Sequence, residues 1–138
     1  MTINKNFIII TYWVTLMELQ YANETIKEYF SDLENIAGYK KLLQKKIGLD
    51  LAKMSKTRMK QLKAAKFFQD YLISRLGKPH SLEGNLDTYY GVDLNSHVRL
   101  IIQPVPPDLS PEALKICGTV KIIGIVDYHG GKNEWLIS

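Results

Sequence analysis

Thr119-Val120-Lys121-Ile122-Ile123-Gly124-Ile125-Val126-Asp127-Tyr128-His129 is the stretch that decides the fold class. Val120, Ile122, Ile123, Ile125 and Val126 leave few polar positions, the pattern of a buried strand. Gly130-Gly131 ends it. Moving towards the N-terminus, Pro104, Pro106, Pro107 and Pro111 mark a loop with room for one helical turn from Pro111 to Leu114. Ahead of that loop, Val98 to Val105 reads as a second strand, with Leu100, Ile101 and Ile102 apolar. Asn95-Ser96 turns it back onto a third, Asp87 to Leu94.

Before Gly77 and Pro79 the period changes to that of a helix. Asp50 to Leu76 reads as one long amphipathic helix, with Leu51, Met54, Met59, Leu62, Ala65 and Phe68 within one broad face. Lys53, Lys56, Lys60 and Lys63 fall on the opposite face. Arg58 projects onto the apolar side, where it must snorkel or meet a partner, for packing or for function. Tyr39 to Lys46 is a short helix ended by Gly48. Asn23 or Thr25 opens an earlier one, and Thr25 with Glu28 has capping-box spacing. Ile26, Tyr29, Phe30, Leu33 and Ile36 repeat along that helix up to Gly38, and Met17 to Tyr21 precedes it as a short strand. Helices first and strands after predict an α+β domain, its N-terminal helices packed on one face of a small antiparallel sheet.

A chain of 138 residues suits one domain. Residues 17–138 are read as that domain and 1–16 as an N-terminal extension or extra strand, either native or lying upstream of a natural start at Met17. Phe7 to Val14 is apolar but shorter than the roughly 18 residues of a membrane span, and no small-x-small cleavage site follows it. No membrane partner is expected. Cys117, the sole cysteine, makes neither an internal disulfide nor a cysteine zinc site, which points to the reducing cytoplasm. Without HExxH, CxxC or a phosphate-loop motif, no metal or cofactor is expected.

Charge is unevenly spread. Gly38 to His80 carries twelve Lys and Arg against two acids, and the remainder of the chain six against twelve. Such a segment calls for a polyanionic partner, nucleic acid or an acidic protein, unless it is simply a solvated helix face.

Chemistry has few candidates. His80 stands in the loop before the sheet, His129 ends the last strand, and Arg99 lies on the middle one. If they converge at one sheet margin, they suit metal-independent RNA cleavage, in which a ribose 2′-OH attacks the adjacent phosphate. Histidine exchanges protons near neutral pH. Arginine offers a fixed fork of donors to phosphate oxygens, and Tyr128 can stack on a base or donate to phosphate. Each also has a plain structural reading: surface polar residues for the histidines and Arg99, a turn for Asp127 beside Gly130-Gly131. His97, next to a hairpin turn, is read as structural.

His80-Ser81-Leu82-Glu83-Gly84, Tyr90-Gly91-Val92-Asp93-Leu94, Arg99 to Pro104 and Val120 to Gly130, in that order, resemble the HigB-type plasmid-maintenance killer proteins of the RelE/ParE superfamily. The members labelled killer suppression proteins carry a similar proline-bearing insert between the last two strands. The resemblance runs from about Met17 to Gly130. It implies a microbial-ribonuclease-like fold, cleavage of mRNA on the ribosome, and a cognate antitoxin, expected as a helix-turn-helix protein with an acidic inhibitory segment. By motif it assigns His80 and His129 to proton transfer, Arg99 to phosphate stabilisation, Tyr128 to orienting base or phosphate, and Asp127 to orienting a histidine. Lys53, Lys56, Lys60, Lys63 and Lys78 would dock on RNA or the ribosome. Glu83 departs from the family, which commonly has a basic residue there, and the tail from Asn133 with Trp135 runs past the usual end. Two other readings share the fold: a ParE-like toxin that binds gyrase without catalysis, and a catalytically degenerate partner of an antitoxin.

Overall fold

The computed structural model describes residues 16–31, 41–129 and 131–138. The expectations for residues 1–15, for Leu33, Ile36 and Gly38, and for the start of the short helix at Tyr39 lie outside the described residues. Strand β1 spans Glu18–Tyr21. Helices α1 (Glu24–Phe30), α2 (Lys41–Ile47), α3 (Leu49–Ala64) and α4 (Phe68–Ser74) follow. Then come β2 (His80–Ser81), β3 (Tyr90–Asp93), β4 (Val98–Pro104), α5 (Pro111–Ile116), β5 (Thr119–His129) and β6 (Lys132–Ile137).

The class is α+β. Ile26, Phe30, Leu43, Ala52, Met59, Leu62, Phe68 and Tyr71 from the helices share one apolar core with Tyr90, Val92, Leu100, Ile102, Val120, Ile122 and Ile125 from the sheet. These strand residues alternate, as one face of a pleated sheet requires, except that a bulge at Ile123 brings Ile122 and Ile125 to the same face. Ile101 and Val126 are buried too, but on the opposite face and outside that core. β5 is therefore apolar on both sides because both sides are covered.

The sheet is mixed, which corrects the expected antiparallel one. Its order is β1-β5-β4-β3-β2, with β6 also on β5. β1 runs parallel to β5, pairing Glu18 with Thr119 and Tyr21 with Ile122. A parallel neighbour needs a long crossover, and the chain between β1 and β5 supplies it. β6 takes the remainder of the same β5 edge, from Ile125 to His129.

A second correction concerns the long helix, which is two helices. Between α3 and α4 the backbone turns its polar groups outward from the helix: the Ala65 carbonyl accepts from the Met17 N–H at 3.0 Å, and the Phe68 N–H donates to Cys117 at 2.8 Å. Two tertiary hydrogen bonds replace the helical ones and tie the helices to β1 and to the start of β5. Neither proline nor glycine announces the break. At α1 the cap is Asn23, whose side chain accepts from the Ile26 N–H at 2.9 Å. The third strand begins at Tyr90 rather than Asp87, because the Tyr89 N–H closes a turn on the Leu86 carbonyl at 3.0 Å.

Candidate active site

The face of the sheet turned away from the helices carries a group drawn from four strands, β2 to β5. Gly91 pairs with His80 on one side and Ile101 on the other, and Asp93 pairs with Arg99. A Cβ on Gly91 would lie 3.3 Å from Arg99 Cδ and 3.4 Å from both His80 Nε2 and Leu82 Cδ2. Arg99 and His80 thus approach each other over a residue with no side chain of its own, a common use of glycine inside a strand. The Arg99 guanidinium also sits 4.6 Å from the centre of the Tyr128 ring, within cation–π range. Its Nε is 3.3 Å from Asp93 Oδ1. That carboxylate oxygen is buried and makes no hydrogen bond of good geometry, so the contact is an ion pair only.

His80 is oriented by the backbone. Its Nδ1 lies 2.9 Å from the Lys78 carbonyl oxygen. A carbonyl only accepts, so Nδ1 carries the proton, and in the neutral ring Nε2 keeps a lone pair. Nε2 is the atom that faces Arg99 across Gly91. The loop ahead of it is held by Tyr71, whose hydroxyl donates to the Leu76 carbonyl at 2.7 Å. Burial pushes the Tyr71 phenol well above the usual tyrosine range, against an opposing pull from Arg58.

Asp127 and His129 stand apart from this group, and the expected convergence of both imidazoles on one point is corrected here. Side chains alternate along a strand, so the residues flanking Tyr128 point to the helix side. There His129 Nδ1 is 3.4 Å from Asp127 Oδ1, and the His129 ring is 6.4 Å from that of His97. Asp127, His129, Lys132 and Glu134 line a recess of about 270 Å³. The motif Asp127-Tyr128-His129 is contiguous in sequence and divided in space.

Of the lysines, Lys53, Lys60 and Lys78 are exposed, and Lys56 and Lys63 are half-buried. Arg58 does meet a partner: its Nε donates to the Asp93 carbonyl at 2.8 Å and its Nη1 to Gln61 Oε1 at 2.9 Å. Glu83 is exposed beyond β2. Trp135 lies against Gly124, where an added Cβ would come within 3.0 Å of its ring. Asp93 and Gly91 were not singled out from sequence as site residues. The glycine inside a strand pattern was the available signal for close approach; Asp93 gave none.

Among the described residues no helix is long and apolar enough to cross a membrane, and no group of three His, Cys, Asp or Glu is placed to hold a metal ion. No protein-family model and no curated protein matches the sequence. Among solved structures, the chain is similar to one in the YoeB–YefM complex from Staphylococcus aureus. That similarity has a TM-score of 0.45 and 18% identity, covering 82% of this chain and 97% of the other, and is too distant to assign a function.

Proposed function

We propose that this chain is the toxin of a type II toxin–antitoxin pair, a HigB-type member of the RelE/ParE superfamily that cleaves mRNA on the ribosome without a metal. The observation that carries the reading is Arg99, whose guanidinium lies 4.6 Å from the centre of the Tyr128 ring while its Cδ and His80 Nε2 both border Gly91. In this mechanism His80 Nε2 takes the proton of a ribose 2′-OH, and the oxygen attacks the adjacent phosphorus. The P–O5′ bond breaks, leaving a 2′,3′-cyclic phosphate and a 5′-hydroxyl. Arg99 donates to the equatorial oxygens, whose charge grows in the transition state. The Tyr128 hydroxyl supplies the proton to the leaving oxygen, a role reassigned from His129 because His129 faces the other way. Asp127 and His129, on the opposite face at the end of β5, take no direct part in this step.

The exposed lysines Lys53, Lys60 and Lys78, with Lys56 and Lys63 in the same row, dock the chain on ribosomal RNA. The partner in the cytoplasm is an antitoxin, a helix-turn-helix protein whose inhibitory segment is acidic to match the basic region. Mapping of transcript ends after brief induction tests the reading. Cleaved messages with 5′-hydroxyl ends are expected from the unaltered chain, and intact messages from a folded His80→Ala chain.

One observation favours a second reading. With the two imidazoles on opposite faces, the chain has lost a two-histidine arrangement and fits a ParE-like gyrase-binding toxin, or a catalytically degenerate partner of an antitoxin. Intact transcripts beside double-strand DNA breaks would select the gyrase reading. Growth without arrest would select the degenerate one.

A further inference from the structure

Behind the loop that carries His80 lies a cleft of about 470 Å³, lined by Arg58, Arg75, Leu76, Gly77, Lys78, Asp93 and the Leu94–Ser96 turn. Three cations border it, against one carboxylate, and that carboxylate is paired with Arg99. Arg58 is fixed by its bonds to the Asp93 carbonyl and Gln61, which leaves the remainder of its guanidinium donors uncommitted. The loop runs directly over it: a Cβ at Gly77 would stand 2.8 Å from Arg58 Nε and 2.5 Å from Val92 Cγ1. Asn95 Oδ1 is spent on the His97 and Val98 N–H groups, so its amide retains only donors.

The backbone here is unusual. Arg75 has φ 59° and Lys78 φ 50°, with Gly77 at 77° between them. Left-handed conformations are unfavourable for residues with a Cβ, and such strain gathers at ligand sites. Neither side chain meets a carboxylate among the described residues. Two cations are thus held in a costly conformation beside a third, with no carboxylate among the described residues paired to either.

We propose that this cleft is a phosphate-binding subsite for single-stranded RNA, taking a phosphate of the strand whose neighbouring nucleotide reaches Arg99 and His80. The Lys78 carbonyl orients His80 while the Lys78 side chain borders the cleft, so one loop serves both places. Only the identity of the strand rests on the proposed function; the claim of a phosphate subsite stands on the cleft itself.

Two measurements test it on the full chain. In amide NMR spectra, inorganic phosphate should shift Gly77, Lys78, Asn95 and Ser96, and an acidic peptide at matched salt should shift them less. In fluorescence anisotropy with a short labelled oligoribonucleotide, Arg75→Gly with Lys78→Gly should weaken binding about tenfold and reduce the salt slope by about 2. The same double substitution should raise the melting temperature, because glycine relieves the left-handed strain. Weaker binding with a higher Tm would separate lost phosphate contacts from a damaged fold. Unchanged RNA affinity, or an acidic peptide shifting the cleft amides more than phosphate does, would overturn the proposal. Should the unaltered chain bind RNA through the cleft yet never cleave it, the subsite stands and the nuclease reading falls.

Discussion

His80 and His129 belong to one sheet and are held in different ways. His80 is partly buried on a two-residue strand, its ring aimed by a backbone carbonyl 2.9 Å away. His129 ends β5 with a side chain 67% exposed, and it meets another side chain, Asp127, at 3.4 Å. A carbonyl belongs to a chain that cannot easily move. The Asp127 carboxylate is a side chain, and at 3.4 Å the contact is long for a charge-assisted hydrogen bond. The sheet thus builds one imidazole into place and leaves the other to solvent. It also brings together residues from three strands, His80, Gly91 and Arg99, while separating the consecutive Asp127, Tyr128 and His129.

The largest expected effect comes from exchanging the histidines one at a time. If His80 is the base, His80→Ala should lower ribosome-dependent cleavage by about 10²- to 10⁴-fold. His129→Ala, with circular dichroism unchanged, should cost only a few-fold by the same comparison, on the order of a surface contact. Equal losses would erase the distinction between the two faces.

Next come substitutions that disturb one part of the sheet and spare another. Gly91→Val adds atoms where His80 Nε2 and Arg99 Cδ already stand 3.3 to 3.4 Å from a Cβ. Their ends are flexible, so the fold should survive while the two groups part. A shift of that kind costs about 100-fold in rate, measured as cleavage per folded molecule. Gly124→Ala acts on the other edge. Its Cβ would collide with the Ile137 backbone carbonyl, which cannot swing aside. Displacing β6 should cost about 1–3 kcal/mol in urea unfolding and disturb the recess beside His129 before it disturbs His80. Full stability for Gly124→Ala would mean that β6 does not sit on β5 as described.

Much of the sheet was legible in the sequence because its signals are local. The β5 run, the Asn95-Ser96 turn and the proline loop all sit where period and turn residues place them, and β5 spans Thr119–His129 as read. The break after Ala64 was not legible. It is enforced by Met17 and Cys117, residues far away in the chain, with nothing local to mark it. The parallel placement of β1 is likewise a tertiary choice among edges. Of the candidate site residues, His80, Arg99 and Tyr128 do group together. The division of Asp127 and His129 from them follows from the pleat. A reading that treats a tripeptide motif as a unit overlooks it, although the alternation rule was available from the moment β5 was read as a strand.

Tyr71 gives the smallest and most selective test of how His80 is held. Its hydroxyl closes on the Leu76 carbonyl, just ahead of the loop that ends in the Lys78 carbonyl and His80. Removing that hydroxyl in Tyr71→Phe should cost about 1 kcal/mol near neutral pH and loosen the His80 side while leaving the Asp127–His129 contact untouched. The pH dependence has a definite sign. Burial raises the folded phenol above its ordinary value of 10.0, so on raising the pH the unfolded chain gives up this proton first. The contribution is complete below about pH 10 and is lost as the pH climbs towards the folded value. Phenylalanine has no such proton. The stability gap between the unaltered chain and Tyr71→Phe, measured by urea unfolding, should therefore be constant from about pH 7 to 9 and narrow above about pH 10. A gap that stays constant into the alkaline range would mean the phenol is not shielded from water. The loop would then lack the anchor that distinguishes His80 from His129.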